Sequence, residues 1–184
     1  MDDVAKPMRV IDVGNLTLEP QTVQHADEMF VVLSDPAIYQ YENHPPRSLA
    51  WLRERFAKLE SRRSADGKEQ WLNWVIRLPT SELIGYVQAT VRANGGAAIA
   101  YELSSAYWGR GLAQLAVHAM IAELVERYQV RSLTAVLKSE NTRSRRLLER
   151  LGFSPSAAEL QAAHAVEAGE MLMLREVNPP SPAA

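Results

Sequence analysis

The second half of the chain alternates between strand and helix patterns, and this order constrains the fold more than any other feature of the sequence. Strands are predicted at residues 97–103, 132–137 and 171–174, and helices at 111–129 and 142–151. A strand followed by a helix and then by another strand of the same sheet needs a crossover, which makes at least one strand pair parallel. The sequence therefore predicts a mixed sheet with helices on both faces.

The first half of the chain predicts the remaining elements of this sheet. A short strand is expected at 15–20, helices at 23–33 and 48–61, and two strands at 70–78 and 83–91. The expected order is strand, two helices, three strands, helix, strand, helix, strand.

Length and composition favour one domain and exclude several classes of function. The 184 residues fit a single domain at 13–176, with a flexible N-terminus at 1–12 and a disordered, proline-rich tail at 177–184. The absence of cysteine excludes disulfides, thiolate zinc sites, iron–sulfur clusters and a cysteine nucleophile. Four scattered histidines have no metal-ligand spacing, so no metal is expected.

Charge and hydropathy give no sign of a nucleic-acid or membrane partner. The formal net charge is −2, so the chain has no overall basic field for nucleic acid. The longest apolar stretch, residues 112–125, is interrupted by Gln114, His118 and Glu123 and is too short to span a bilayer. Since the N-terminus also lacks an apolar signal segment, a cytoplasmic protein is expected.

The junction between the strand at 97–103 and the helix at 111–129 contains two closely spaced glycines, Gly109 and Gly111. The first amides of a helix are unpaired and, together with the helix dipole, form a site for an anion such as a pyrophosphate. Arg110 would add a positive charge. Taken alone, this spacing is typical either of a tight turn or of a ligand cradle, and it matches neither a P-loop nor a dinucleotide fingerprint.

The residues around these glycines resemble the acetyl-CoA loop of the GNAT superfamily of N-acetyltransferases. In Trp108-Gly-Arg-Gly-Leu-Ala113, the second glycine and the final alanine occupy the two small positions of the family pattern Q/R-x-x-G-x-G/A, and Trp108 departs from the first position. Asn141-Thr-Arg-Ser144 and Leu151-Gly-Phe153 resemble the N-x-x-S and L-G-F motifs of the branch that contains ribosomal-protein N-terminal acetyltransferases.

The resemblance implies an α+β fold with a mixed, mostly antiparallel sheet, and acetyl-CoA as co-substrate. It places the pantetheine arm between the splayed parallel strands 97–103 and 132–137, paired with backbone groups near Leu103 and Ser105. The other residues that it implies for cofactor binding are Trp108, Gly109, Arg110, Gly111, Leu112, Ala113, Asn141, Ser144 and Arg145.

Acetyl transfer needs a base for the amine and a proton for the departing thiolate. The resemblance points to Glu102 as the base acting through water, with His164 as a second candidate, and to Ser144 as the proton donor. A salt-bridge or rim position for Glu102, a helix-capping position for Ser144 and an exposed loop position for His164 remain open. Glu102 can be the base only if its side chain faces the acceptor side of the sheet, and the alternating pleat would then put Tyr101 and Leu103 on the other face.

The acceptor is expected to be a primary amine, either the α-amine of a protein N-terminus or a small molecule. Tyr39, Tyr41, Glu42 and Trp74 are the candidate acceptor-binding residues. A monomer or a homodimer fits the sequence equally well. The alternative from another class of function is a non-catalytic module that binds acyl-CoA as a sensor.

Overall fold

The computed structural model describes residues 6–41 and 43–177. In this part of the chain, eight strands form one sheet in the order β1-β2-β3-β4-β5-β6-β8-β7. The strands are β1 (Ile11–Asp12), β2 (Thr17–Pro20), β3 (Glu69–Arg77), β4 (Leu83–Arg92), β5 (Gly96–Leu103), β6 (Ser132–Lys138), β7 (Ser154–Pro155) and β8 (Glu170–Glu176). The helices are α1 (Ala26–Val32), α2 (Leu49–Leu59), α3 (Leu112–Tyr128), α4 (Thr142–Arg150) and α5 (Ala158–Ala163).

The central strands β5 and β6 form the parallel pair that the sequence predicts, and the other paired neighbours are antiparallel. Pairing between β5 and β6 runs from Gly96 and Ser132 only to Ala98 and Thr134. Both strands continue beyond these residues, so their facing edges separate and leave a gap at the C-terminal end of β5. The mixed sheet and the splayed parallel pair are therefore confirmed.

Helices cover both faces of the sheet, and β3 is therefore buried on both sides. Trp74 of β3 lies in a core that includes Met120 of α3, whereas the neighbouring Val75 packs with Met29 of α1 and Phe56 of α2. Alternate residues of a strand point to opposite faces, so these two clusters lie on opposite sides of the sheet. The prediction of helices on both faces is confirmed.

The longest helix, α3, carries a buried carboxylate. The side chain of Glu123 is 2% exposed, accepts a hydrogen bond from Arg9 at 2.6 Å and lies 3.5 Å from the guanidinium of Arg127. These cations offset the cost of removing the carboxylate from water. No helix of the described residues is long and apolar enough to cross a membrane.

The described residues at the N-terminus make contacts that the sequence analysis did not expect. Residues 6–12 are ordered by long-range contacts: β1 pairs with β2, and the carbonyl of Arg9 accepts a hydrogen bond from the indole of Trp74 at 3.1 Å. Part of the segment that the sequence analysis expected to be flexible, at 1–12, thus contacts the sheet. The amide of Val177 donates to Arg131 at 2.8 Å, and the rest of the expected tail, like residues 1–5, lies outside the described residues.

Candidate active site

The loop between β5 and α3 presents an open backbone surface. Gly109 and Gly111 have φ values of 74° and 75°, in the left-handed region that favours glycine. A Cβ atom at either position would meet no heavy atom within 4 Å. Among the described residues, no group accepts a hydrogen bond from the backbone amides of residues 109–114. The loop therefore has the free amides and the space that an anionic group needs.

A cavity of about 270 Å³ adjoins this loop. Its walls are the end of β5, the start of α3 and one side of α4, and Arg143 and Arg150 of α4 contribute positive charge. The guanidinium of Arg143 lies 3.4 Å from the ring centroid of Trp108, close enough for a cation–π contact. The free amides, the absence of glycine side chains and the two arginines together fit the polyphosphate part of CoA.

Trp108 fixes the loop to the strand. Its indole Nε1 donates a hydrogen bond to the carbonyl of Leu103 at 2.8 Å. The amide of Ser105 donates to the Asp35 carboxylate at 2.7 Å. Both backbone groups were expected to pair with pantetheine, but the protein already uses them. The edge of β5 after Ala98, which β6 leaves unpaired, is the better candidate for this contact.

Arg145 does not face the cavity. Its side chain is exposed and pairs with Glu149 one turn further along α4, at 2.8 Å. The arginines that do line the cavity, Arg143 and Arg150, lie on a different side of the helix. The assignment of Arg145 to cofactor binding is therefore not supported by the geometry.

A second, larger cavity of about 550 Å³ lies next to the first. It is bounded by α2, the segment before α2, and strands β4, β5 and β6. The residues that line both cavities are Ile38, Tyr101, Glu102, Asn141 and Ser144. The two cavities thus meet at the gap between β5 and β6, and three of the sequence candidates lie at the meeting point.

Ser144 is positioned at this junction by the start of α4. The side chain of Asn141 caps the helix by accepting a hydrogen bond from the Ser144 amide at 3.1 Å. The Ser144 hydroxyl lies 2.7 Å from the hydroxyl of Tyr101 on β5. This arrangement gives a pair of hydroxyl groups that can pass a proton between them.

Glu102 contacts the opposite side of the gap. Its carboxylate accepts a hydrogen bond from the Asn43 side chain at 3.2 Å and another from the hydroxyl of Tyr86 on β4. Tyr101, its neighbour along β5, instead contacts α4. The side chains of Glu102 and Tyr101 therefore have partners on different sides of the gap, and Glu102 lines the larger cavity, as the role of a base would require.

Two further candidates are not brought to this junction. His164 is exposed at the end of α5 and is not among the residues that line either cavity. Trp74 is fully buried in the core, so it has no surface with which to contact an acceptor. Neither residue is in a position to act on a substrate in this structure. Among the described residues, no group of three or more potential metal ligands is found.

The remaining acceptor candidates lie in the segment before α2. Tyr39 lines the larger cavity, and its hydroxyl donates to the carbonyl of Leu33 at 2.7 Å. Burial raises the pKa of this hydroxyl well above its usual value, and the charge of Glu102 adds to the rise. Tyr41 is half-buried outside the cavity lining, and Glu42 lies outside the described residues.

Asp35 is a site residue that the sequence analysis did not single out. Its carboxylate accepts hydrogen bonds from the Ala37 amide at 3.0 Å and from the Ser105 amide. Burial would raise the pKa of this carboxyl, but the hydrogen bonds from Ser105 and Ala37 outweigh burial and hold the pKa below its usual value. Asp35 thus ties the acceptor-side segment to the end of β5.

We expect Asp35→Ala to lower the free energy of unfolding by about 1–2 kcal/mol near neutral pH, because two backbone amides lose their acceptor. The folded pKa of Asp35 lies below the unfolded one. The contribution is therefore present above the unfolded pKa and disappears as pH falls through the folded pKa. Urea denaturation at several pH values measures this difference. Asp35→Asn, which keeps a hydrogen-bond acceptor but has no charge, is the control. If the difference in the free energy of unfolding between wild type and Asp35→Ala stayed the same at acid pH, the assignment would be contradicted.

Comparison with known protein families assigns the chain to one of them. The profile of the family described as "Acetyltransferase (GNAT) domain" matches residues 15–154. The chain belongs to this family and is an acetyltransferase that uses acetyl-CoA. It is 27% identical over 148 residues to "Uncharacterized N-acetyltransferase p20" of Bacillus licheniformis, covering 79% of this chain and 83% of that protein.

Solved structures show the same fold at low sequence identity. RimL, a ribosomal L7/L12 alpha-N-protein acetyltransferase in complex with coenzyme A, has a TM-score of 0.77 and 18% identity, over 92% of this chain and 98% of that one. The ribosomal-protein-S5-alanine acetyltransferase of Vibrio fischeri has a TM-score of 0.76 and 14% identity, over 95% and 100%. The microcin C7 self-immunity acetyltransferase MccE, in complex with acetyl-CoA and AMP, has a TM-score of 0.74 and 16% identity, over 89% and 93%.

Proposed function

We propose that this protein transfers the acetyl group of acetyl-CoA to a primary amine by direct attack of the amine on the thioester. The observation that carries the proposal is the meeting of two cavities at the gap between β5 and β6. One cavity has the free amides and cations that suit CoA, and the other is large enough for an acceptor. Glu102 and Ser144 lie where the two substrates would meet.

The residues that would hold acetyl-CoA are those of the smaller cavity. Amides of residues 109–114 bind the pyrophosphate, Arg143 and Arg150 pair with negative charge, and the unpaired edge of β5 binds the pantetheine arm. Acetyl-CoA supplies an activated acyl thioester. The protein then has to orient the amine, accept its proton and supply a proton to the sulfur.

Glu102 accepts the proton of the amine in this proposal, through a water molecule or directly. Its carboxylate faces the larger cavity and is held there by donors from Asn43 and Tyr86. These hydrogen bonds fix the orientation of the carboxylate, so that an unused lone pair can point to the acceptor.

The hydroxyl of Ser144 donates a proton to the departing sulfur. The Tyr101 hydroxyl, 2.7 Å away, can replace that proton in turn. The cap formed by Asn141 holds this turn of α4 in place, so the hydroxyl pair is rigid before the substrates bind.

An α-amine suits this modest set of catalytic groups. With a pKa near 8, about a tenth of such an amine is neutral at pH 7, whereas a lysine amine costs about 4.6 kcal/mol to deprotonate. Protein N-termini and small α-amines are therefore the preferred acceptor class.

The test is an assay of thiol release from acetyl-CoA across a panel of amines, with calorimetry of acetyl-CoA binding alongside. Acetyl-CoA binding together with amine-dependent thiol release supports the proposal. Binding without release for every amine would favour the alternative of an acyl-CoA-binding module and would overturn the proposed activity.

Gly111→Val tests the assignment of the CoA loop. We expect the affinity for acetyl-CoA, measured by calorimetry, to fall at least tenfold, because the new side chain fills the open space over the loop and strains the backbone (~1–3 kcal/mol). Gly14→Val is the matched control: Gly14 has φ of 82° and equally open surroundings, but it lies outside both cavities. Equal affinities of the two variants would contradict the loop assignment.

A further inference from the structure

Arg55 of α2 lies at the wall of the larger cavity and forms no ion pair with a carboxylate of the described residues. Its guanidinium lies 5.7 Å from the ring centroid of Trp51, which also lines the cavity. The sequence analysis predicted this helix at 48–61.

The neighbouring cations of α2 are arranged differently. Arg53 forms an ion pair with Asp27 of α1 at 2.5 Å. Lys58 lies 5.9 Å from the ring centroid of Trp71, and neither Arg53 nor Lys58 lines the cavity. Arg55 is thus the cation of this helix that is directed to the cavity and available to a ligand.

Arg55 and Glu102 give the larger cavity opposite charges. They are the two described lining residues that carry a full charge at neutral pH. Tyr86 of the same lining responds to both: burial raises the pKa of its hydroxyl, the charge of Glu102 adds to the rise, and the charge of Arg55 opposes it. Both charges therefore act on the same part of the cavity.

We infer that Arg55 selects acceptors that carry an acidic group, a carboxylate or a phosphate, close to the amine that is acetylated. This inference rests on the proposed function. With the amine at Glu102, the acidic group of such an acceptor reaches towards Arg55 and forms a charge-assisted hydrogen bond. A polyamine or an aminoglycoside would instead bring a second cation next to Arg55, and like charges repel.

The size of the cavity agrees with an acceptor of this kind. A volume of about 550 Å³ lies within the usual range for sites that bind drug-sized ligands. Such a cavity has room for an amine together with an acidic group on the same or the next residue. Trp51 gives the planar guanidinium a surface against which it can keep its orientation.

The first part of the test compares acceptors with the wild-type protein. The probes are three peptides, Ala-Asp-Ala-Ala, Ala-Asn-Ala-Ala and Ala-Lys-Ala-Ala, all with amidated C-termini. Alanine and alaninamide form a further pair, in which alanine has a free carboxylate and alaninamide has an amide in its place. We expect the acidic member of each set to have the highest kcat/KM. Preference confined to the aspartate peptide identifies a peptide N-terminus as the source of the acidic group, and preference confined to alanine identifies a free amino acid.

The second part changes Arg55. For the preferred acidic acceptor, we expect Arg55→Gln to lower kcat/KM by about 10- to 100-fold, mainly through KM, because a hydrogen bond to a charged group is lost. Acetylation of the neutral counterpart should change less than about twofold by the same reasoning, and Arg55→Glu should shift the preference towards the lysine peptide. Lys58→Gln is the matched control, since it removes the same charge from the same helix outside the cavity.

The outcomes separate this inference from the proposed function. If none of the amines causes release of the thiol from acetyl-CoA, the proposed function is overturned. Thiol release that is insensitive to the charge of the acceptor, or an equal loss for acidic and neutral acceptors in Arg55→Gln, overturns the role of Arg55 and leaves the acetyltransferase activity standing.

Discussion

Glu102→Gln is expected to lower kcat/KM for amine acetylation by about 10²–10⁴-fold, the range typical of a general base. The amide keeps the size of the side chain and an oxygen acceptor for Asn43 and Tyr86, so the cavity should keep its shape. What the variant loses is a group that can take a proton. Calorimetry should therefore show an unchanged affinity for acetyl-CoA.

The pH profile distinguishes a base from a group that only shapes the cavity. In the wild-type protein, both the amine and Glu102 must lose a proton, so log kcat/KM should fall more steeply with decreasing pH than in the variant. Glu140→Gln provides the control, because Glu140 is exposed, close to α4 in sequence and outside both cavities. Parallel pH profiles for wild type and Glu102→Gln would remove Glu102 from the proton transfer.

Ser144→Ala is expected to lower turnover by about 10²–10⁴-fold while it leaves the affinity for acetyl-CoA nearly unchanged. The cap of α4 uses the backbone amide of residue 144, so the helix keeps its start when the hydroxyl is removed. The step that the variant loses is the donation of a proton from the Ser144 hydroxyl to the departing sulfur. Steady-state kinetics at saturating acetyl-CoA, together with calorimetry, measure the two effects separately.

Two variants of the same helix sharpen this test. Thr142→Ala removes a hydroxyl from the same turn at an exposed position outside both cavities and should retain full turnover. Ser144→Thr retains a hydroxyl next to Tyr101 and should recover part of the rate. Full turnover in Ser144→Ala would instead leave residue 144 with a structural role in the first turn of α4.

The parts of the site that follow from local sequence could be predicted. Gly109 and Gly111 at the start of α3, and the Asn141 cap three residues before Ser144, are set by turn and capping rules that act over a few residues. For Glu102, the alternating pleat gave only a condition for its role, because alternation does not by itself decide which face of β5 a residue occupies.

The direction of side chains on helices and buried strands was harder to predict. Arg143 and Arg145 are two residues apart on α4, and only the packing of the helix decides that the first faces the cavity while the second pairs with Glu149. Trp74 lies on a strand buried on both faces, where the sequence shows a continuous apolar run instead of an alternation.

Long-range contacts account for the remaining differences. The strand β1 has two residues, too few for a periodic pattern, and it forms because β2 is available as a partner. The helix α5 has six residues and follows the two-residue strand β7, in a segment where the sequence predicted no element. His164 at its end could not be placed without that helix. Arg55 stood out only when the structure showed that Arg53 pairs with Asp27, whereas Arg55 pairs with no carboxylate in the described part of the chain.

The short ladder between β5 and β6 has a consequence for how the protein unfolds. Three residue pairs are the backbone connection between strands β1–β5 and strands β6–β8 in the described part of the sheet. A pantetheine arm hydrogen-bonded along the free edge of β5 would supply the rungs that this ladder lacks. Acetyl-CoA would then act as an additional strand, and the free energy of its binding would add to the contacts that the ladder and the shared core already make between the two parts of the sheet. The stability of the gap would in this sense be a property of the complex, higher when the co-substrate is bound and lower when it has left.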